Sequence, residues 1–228
     1  IEKEIKERKF LSTGVYLLDA CLSGKLLNGG IATNRISCVA GESGAGKSFI
    51  CYSVAKNAQK NGYSVIYIDT EQSIDLEDFP NYGIDNSLEK FRLIRSNKVE
   101  DVNMLLTQLL DDLKEQKNAG YELPKLLIVL DSLGQMASNK EKEDLLAGNI
   151  KQDMTKAKAL GSMFRSINTD LGFLDIPLLV ANQTYMTMDL FAQEKLRGGN
   201  GLLYSASVIG MMSKSKLKDS NVDDMDLG

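Results

Sequence analysis

Eight consecutive residues carry the most specific chemistry in this chain. Gly41, Glu42, Ser43, Gly44, Ala45, Gly46, Lys47 and Ser48 match the pattern G-x-x-x-x-G-K-[ST] at every fixed position. The pattern suits phosphate for physical reasons. Glycines let the backbone curl through positive φ, the amide N–H groups then converge on an anion, and the helix that follows turns its N-terminus toward it. Lys47 is expected on the β and γ phosphates and the Ser48 hydroxyl on Mg2+. A nucleoside triphosphate is therefore the expected ligand, and Phe49, next in the chain, is counted with the residues that hold it.

Three more polar positions lie where apolar runs stop. Asp131 follows Leu127-Ile128-Val129-Leu130, four hydrophobic residues and then an acid, which is the Walker B pattern; that carboxylate is expected to hold Mg2+ through water. Glu71 lies just past Val65-Ile66-Tyr67-Ile68-Asp69. In open parallel sheets the carboxyl edge of the strands is where ligands bind. The run Leu178-Leu179-Val180-Ala181 ends in two amides, Asn182 and Gln183.

Composition narrows the chemistry further. The 228 residues include no histidine, which excludes Ser-His-Asp and Cys-His catalysis and every histidine-ligated metal site. Catalysis must rest on carboxylates, Lys47 and a metal ion. Cys21, Cys38 and Cys51 lack metal-ligand spacing and are read as small buried apolar residues. A net charge of −4 gives no global attraction for nucleic acid, so any DNA must be held by local surfaces. No apolar run is long enough to cross a bilayer and no signal-peptide pattern opens the chain, so a cytosolic protein without a membrane partner is expected.

The elements that must position these groups follow from periodicity. Strands are expected at residues 35–40, 63–69, 91–94, 125–132, 176–183 and 204–212, the longest runs being apolar enough for burial on both faces. Helices are expected at 49–59, 75–82 with Gly83 as its stop, 99–116 and 153–174. The second-to-last of these carries an apolar stripe at Val102, Leu105, Leu106, Leu109, Leu110 and Leu113. Residues 134–150 and 184–200 are polar and interrupted, and are read as loops. Strands alternating with helices predict an α/β fold with a mostly parallel sheet and helices on both faces. The expected organisation is one domain: a lead segment over residues 1–33 packs on a core over 34–228, whose polar end from 213 reads as a hairpin cut short. At least one strand must separate the phosphate-loop strand from its successor.

On these residues the chain resembles RecA-type recombinases, and within them the bacteriophage UvsX recombinases. The most specific stretches are Tyr67-Ile68-Asp69-Thr70-Glu71, Asp131-Ser132-Leu133-Gly134, Asp153-Met154-Thr155-Lys156-Ala157-Lys158, and Gly198-Gly199-Asn200-Gly201 before Tyr204-Ser205-Ala206. The resemblance implies a RecA-like core with an extra strand between the Walker strands. It further implies a Mg2+-dependent, DNA-stimulated ATPase that coats single-stranded DNA as a helical filament and pairs it with duplex DNA in recombination and repair. Glu71 would be the general base, Asp131 the Walker B acid, and Gln183, with Asn182 beside it, the γ-phosphate sensor that drives the second DNA loop. Asp75 and Tyr82 are candidates for the adenine rim. Met186, Met188 and Phe191 would wedge between bases, with Lys195, Arg197, Gly198 and Gly199 at phosphates. Lys214, Lys216 and Lys218 are candidates for the cations that such proteins extend to a neighbour's ATP. Single-strand-binding and loader proteins are implied partners. Two other classes share the nucleotide residues: a hexameric helicase or ring motor, and a non-catalytic recombination mediator. An intact set of Lys47, Ser48, Glu71 and Asp131 speaks against the second.

Overall fold

The computed structural model describes residues 8–147, 155–187 and 193–215. A short antiparallel pair, β1 (Phe10–Leu11) and β2 (Ile31–Ala32), brackets helix α1 (Tyr16–Ser23). The chain then enters the central sheet at β3 (Ile36–Gly41) and continues through α2 (Lys47–Lys60), β4 (Ser64–Asp69), β5 (Phe91–Arg95), α3 (Val99–Asn118) and β6 (Leu126–Asp131). Next come α4 (Asn139–Leu146), α5 (Thr155–Leu174), β7 (Leu178–Met186), β8 (Glu194–Leu196), α6 (Gly201–Ser205) and β9 (Val208–Met212). Strand order across the sheet is β5-β4-β6-β7-β3-β9, all parallel, with β8 antiparallel on the far end of β7. The strand after the phosphate loop, β4, is thus separated from β3 by two strands, β6 and β7, and β7 lies between the two Walker strands.

Alternation explains how one sheet builds two cores. On one face Ile36, Cys38, Ile68, Ile128, Leu130 and Val180 meet Leu106 and Leu110 of α3 and Phe164 and Leu171 of α5. On the other, Val39, Val65, Tyr67, Val129 and Leu179 meet Cys51, Val54, Ala55 and Ala58 of α2, together with Phe79. Period-2 strands covered by period-3.6 stripes on both sides leave little choice but this three-layer packing. The consequence for chemistry is that β3, β4 and β6 end at one edge of the sheet, which β7 crosses, with Gly41 beside Gln183 and Asp69 beside Asp131 there.

Four expectations change. Residues 134–150 are not loop throughout: α4 forms because Ser138 and Glu141 cap one another, Glu141 N–H donating to Ser138 Oγ at 3.1 Å and Ser138 N–H to Glu141 Oε2 at 3.4 Å. Residues 184–200 contain the end of β7 and all of β8, paired Thr184 to Leu196 and Met186 to Glu194. The strand expected at 204–212 begins only at Val208, since Gly201–Ser205 winds one helical turn first. Cys38 and Cys51 are buried as expected, but Cys21 is exposed because α1 lies at the surface. The start of the helix expected at 153 falls outside the described residues.

Candidate functional site

The loop between β3 and α2 takes the shape its glycines permit. Gly44 and Gly46 adopt φ of 69° and 89°, and α2 starts at Lys47. Gly41 is required for a different reason: a Cβ there would stand 2.3 Å from the Met212 carbonyl oxygen of the adjacent strand β9. Lys47 is 7% exposed, and its ammonium donates to the carbonyls of Gly41 at 3.0 Å and Glu42 at 2.7 Å. Burial pulls its pKa down, while the charges of Asp131 and Glu71 act the other way. The ammonium is therefore held at the mouth of the loop by two neutral acceptors, ready to exchange them for anionic oxygens.

Asp131 stands opposite Asp69 at the ends of β6 and β4. Its carboxylate accepts the Tyr67 hydroxyl at 2.6 Å, and Ser48 lines the same cleft. Burial raises its pKa, and the neighbouring Tyr67 and Ser48 side chains oppose the rise. The peptide between Asp131 and Ser132 is cis. Ser48 and Asp131 are a fitting donor pair for Mg2+, which keeps most of its waters and takes one or two protein oxygens besides phosphate.

Glu71 is displayed by a turn that Asp69 organises. One oxygen of Asp69 accepts from the N–H groups of Glu71 at 3.0 Å and Gln72 at 2.9 Å, the other from Ser73 at 3.0 Å. Thr70 ties the turn to β6, its hydroxyl donating to the Ser132 carbonyl at 2.7 Å. At the tip, Glu71 Oε1 accepts from Ser132 Oγ at 2.6 Å and from Gln183 Nε2 at 3.2 Å. Two residues far apart in sequence thus aim one carboxylate.

Gln183 in turn belongs to the start of the β7–β8 hairpin. Arg197 N–H donates to the Gln183 carbonyl at 2.9 Å, and the buried Asn182 donates from Nδ2 to the Arg197 carbonyl at 2.9 Å. A Cβ on Gly134, just after the Walker strand, would lie 3.3 Å from both Gln183 and Arg197. Gly198 and Gly199, at φ of 84° and 80°, press on α5, where a Cβ would come 2.9 Å from Leu160 and 2.8 Å from Ala157.

A cleft of about 260 Å³ gathers Ser43, Gly44, Gly46, Lys47, Ser48, Phe49, Glu71, Asp131, Ser132 and Gln183. A larger one, about 760 Å³, opens at the other end of the sheet by Lys25, Lys125 and Asp175, away from every one of these groups. Chemistry points to the smaller. Asp75 and Tyr82 do not line it: Asp75 pairs with Arg95 at 2.5 Å, and Tyr82 packs on Tyr52 with ring centroids 4.5 Å apart. Lys214 lies beside its own phosphate loop, its Nζ 3.0 Å from where a Gly44 Cβ would be. Lys216 and Lys218 are outside the described residues, as are Met188 and Phe191. Met186, Lys195 and Arg197 are exposed on or next to the hairpin. Sequence reasoning assigned no role to Tyr67, Asp69, Thr70 or Ser132, although all four stand inside the stretches that carried the resemblance.

The model of the RecA N-terminal domain matches residues 2–225. The chain belongs to the RecA family. Among its relatives are a "Recombination and repair protein" of Enterobacteria phage T4, 28% identical over 221 residues, and the "DNA repair and recombination protein RadB" of Thermoplasma acidophilum, 30% identical over 179 residues. These alignments cover 96% and 78% of this chain; they cover 54% of the phage protein and 69% of the archaeal one. The chain therefore spans about half the length of the phage relative. As a RecA-family core it has the mostly parallel sheet with flanking helices. Among the described residues no helix is long and apolar enough to cross a membrane.

Proposed function

We propose that this RecA-family chain is the ATPase core of a strand-exchange recombinase, in which ATP binding tightens the grip of the β7–β8 hairpin on single-stranded DNA. The observation that carries the reading is a single strand with two ends of consequence. Gln183 on β7 donates to Glu71 inside the cleft, and three residues on, Met186 stands exposed on the hairpin. A shift of the Gln183 amide from carboxylate to phosphate would move the hairpin through the Arg197 and Asn182 bonds to the same strand end.

In this reading the loop amides and Lys47 bind the phosphates, and Ser48 and Asp131 hold Mg2+, whose charge offsets that of the phosphate oxygens. Glu71 orients a water and takes its proton as the water oxygen attacks the γ-phosphorus; the bond to the bridging oxygen breaks, and ADP and phosphate leave. The exposed Met186 and the cations Lys195 and Arg197 meet bases and backbone. The full-length protein forms a filament on DNA, and hydrolysis releases it.

Gln183→Ala separates the two halves of this account. ATP turnover without DNA is expected to stay within about threefold of wild type, because an amide that only helps to orient the base gives a small part of the ~10²-fold or more that the base supplies. Stimulation by single-stranded DNA is expected to vanish. Stimulation equal to wild type would remove Gln183 as the link.

A further inference from the structure

The Walker B carboxylate has a partner that the nucleotide chemistry does not require. Tyr67 Oη donates to Asp131 Oδ2 at 2.6 Å, with Tyr67 1% and Asp131 8% exposed. The two come from neighbouring strands: Tyr67 is level with Val129, and Asp69 with Asp131, so the phenol reaches along the strand direction to the carboxylate. Its ring is fixed on several sides. Phe79 meets it edge-on with centroids 5.3 Å apart, Phe91 lies at 6.1 Å and Tyr52 at 5.8 Å.

A phenylalanine at position 67 would fill the same volume and meet the same rings. The hydroxyl, by contrast, brings a buried polar group that must be paired. Asp131 has the converse need, being a carboxylate taken out of water. Ser48, at the start of α2 on the helix that carries Tyr52, lines the same cleft as Asp131. The carboxylate is thus tied by Tyr67 to a rigid aromatic cluster and faces the cleft into which Ser48 opens.

We infer that Tyr67 is a positioning residue for the metal site, its hydroxyl fixing the orientation of the Asp131 carboxylate relative to Ser48. The inference rests on the reading of the cleft as a nucleotide and Mg2+ site. Partners that orient a metal-binding carboxylate from behind characteristically change metal affinity by about 10- to 100-fold when removed. Tyr67 acts through Asp131 and is not itself placed against phosphate: among the described residues that line the cleft it does not appear.

The test is a titration of the full-length protein with a fluorescent, slowly hydrolysed ATP analogue, with and without Mg2+, for wild type, Tyr67→Phe, Tyr52→Phe and Asp131→Asn. The quantity read is the gain in affinity that Mg2+ confers. Tyr67→Phe is expected to lose about tenfold of that gain while keeping its Mg2+-free affinity, a split that a merely structural role would not produce. Tyr52→Phe keeps the bond to Asp131 and is expected to keep the gain. Asp131→Asn is expected to lose most of it. A Tyr67→Phe protein with the wild-type gain would overturn the inference. A wild type with no Mg2+-dependent gain at all would overturn the reading of the cleft, and the inference with it; the Asp131→Asn control tells these two failures apart.

Discussion

Glu71→Gln is expected to lower ATP turnover by about 100-fold or more, the share a positioned general base contributes, while leaving nucleotide affinity within a few-fold of wild type. Glutamine keeps the shape of the side chain and can still accept from Ser132 and Gln183, so the turn built on Asp69 should stand. What it loses is the capacity to take a proton. The site is built to present this one carboxylate: three backbone N–H groups are gathered by Asp69, and Glu71 Oε1 is held from two other strands' ends. Steady-state phosphate release, measured beside nucleotide titrations on the same preparation, checks it. Turnover retained in the variant would mean that the base lies elsewhere, whatever the family resemblance.

The second large effect concerns the phosphate loop itself. Lys47→Met is expected to weaken binding of the triphosphate by roughly 10- to 100-fold, since a hydrogen bond to a charged group is worth about 1.5–3 kcal/mol. Methionine preserves most of the apolar stem, so the loss reports the ammonium. The carbonyls of Gly41 and Glu42 lose their donor as well, and the loop's closed shape is expected to loosen. Lys214, beside Gly44, leaves some positive charge in place, which sets the loss toward the lower part of that range. Calorimetric titration is the direct measurement. An affinity unchanged from wild type would place the phosphates away from Gly41 to Ser48.

Much of this site was legible in the sequence because the relevant residues stop apolar runs. A parallel strand buried on both faces leaves its mark as continuous hydrophobicity, and the polar residues that close it must lie at or near the sheet edge. That logic placed Asp131, Glu71 and Gln183 near Lys47 before any coordinates. It fails for a polar atom within a strand. Tyr67 sits at an inward position among aromatics, where a tyrosine and a phenylalanine read alike, so its hydroxyl went unassigned. Asp75 and Tyr82 engage other partners than the phosphate-loop cleft: the short 3₁₀ helix over Leu76–Tyr82 brings Asp75 to Arg95 and Tyr82 to Tyr52. Helix α4 was hidden by its polarity, although Ser138 and Glu141 spelled its cap. Strand β8 has no such local sign; Glu194-Lys195-Leu196 becomes a strand only because β7 extends far enough to pair with it.

The central claim is that nucleotide in the cleft controls the hold on DNA, and one measurement meets it directly. The affinity of the full-length protein for fluorescently labelled single-stranded DNA is compared, at one salt concentration, with Mg2+ and a slowly hydrolysed ATP analogue, with Mg2+ and ADP, and without nucleotide. The account predicts tighter binding with the analogue than with ADP by roughly 5- to 150-fold, the usual range for coupling between two sites. Equal affinity in all three conditions would contradict it.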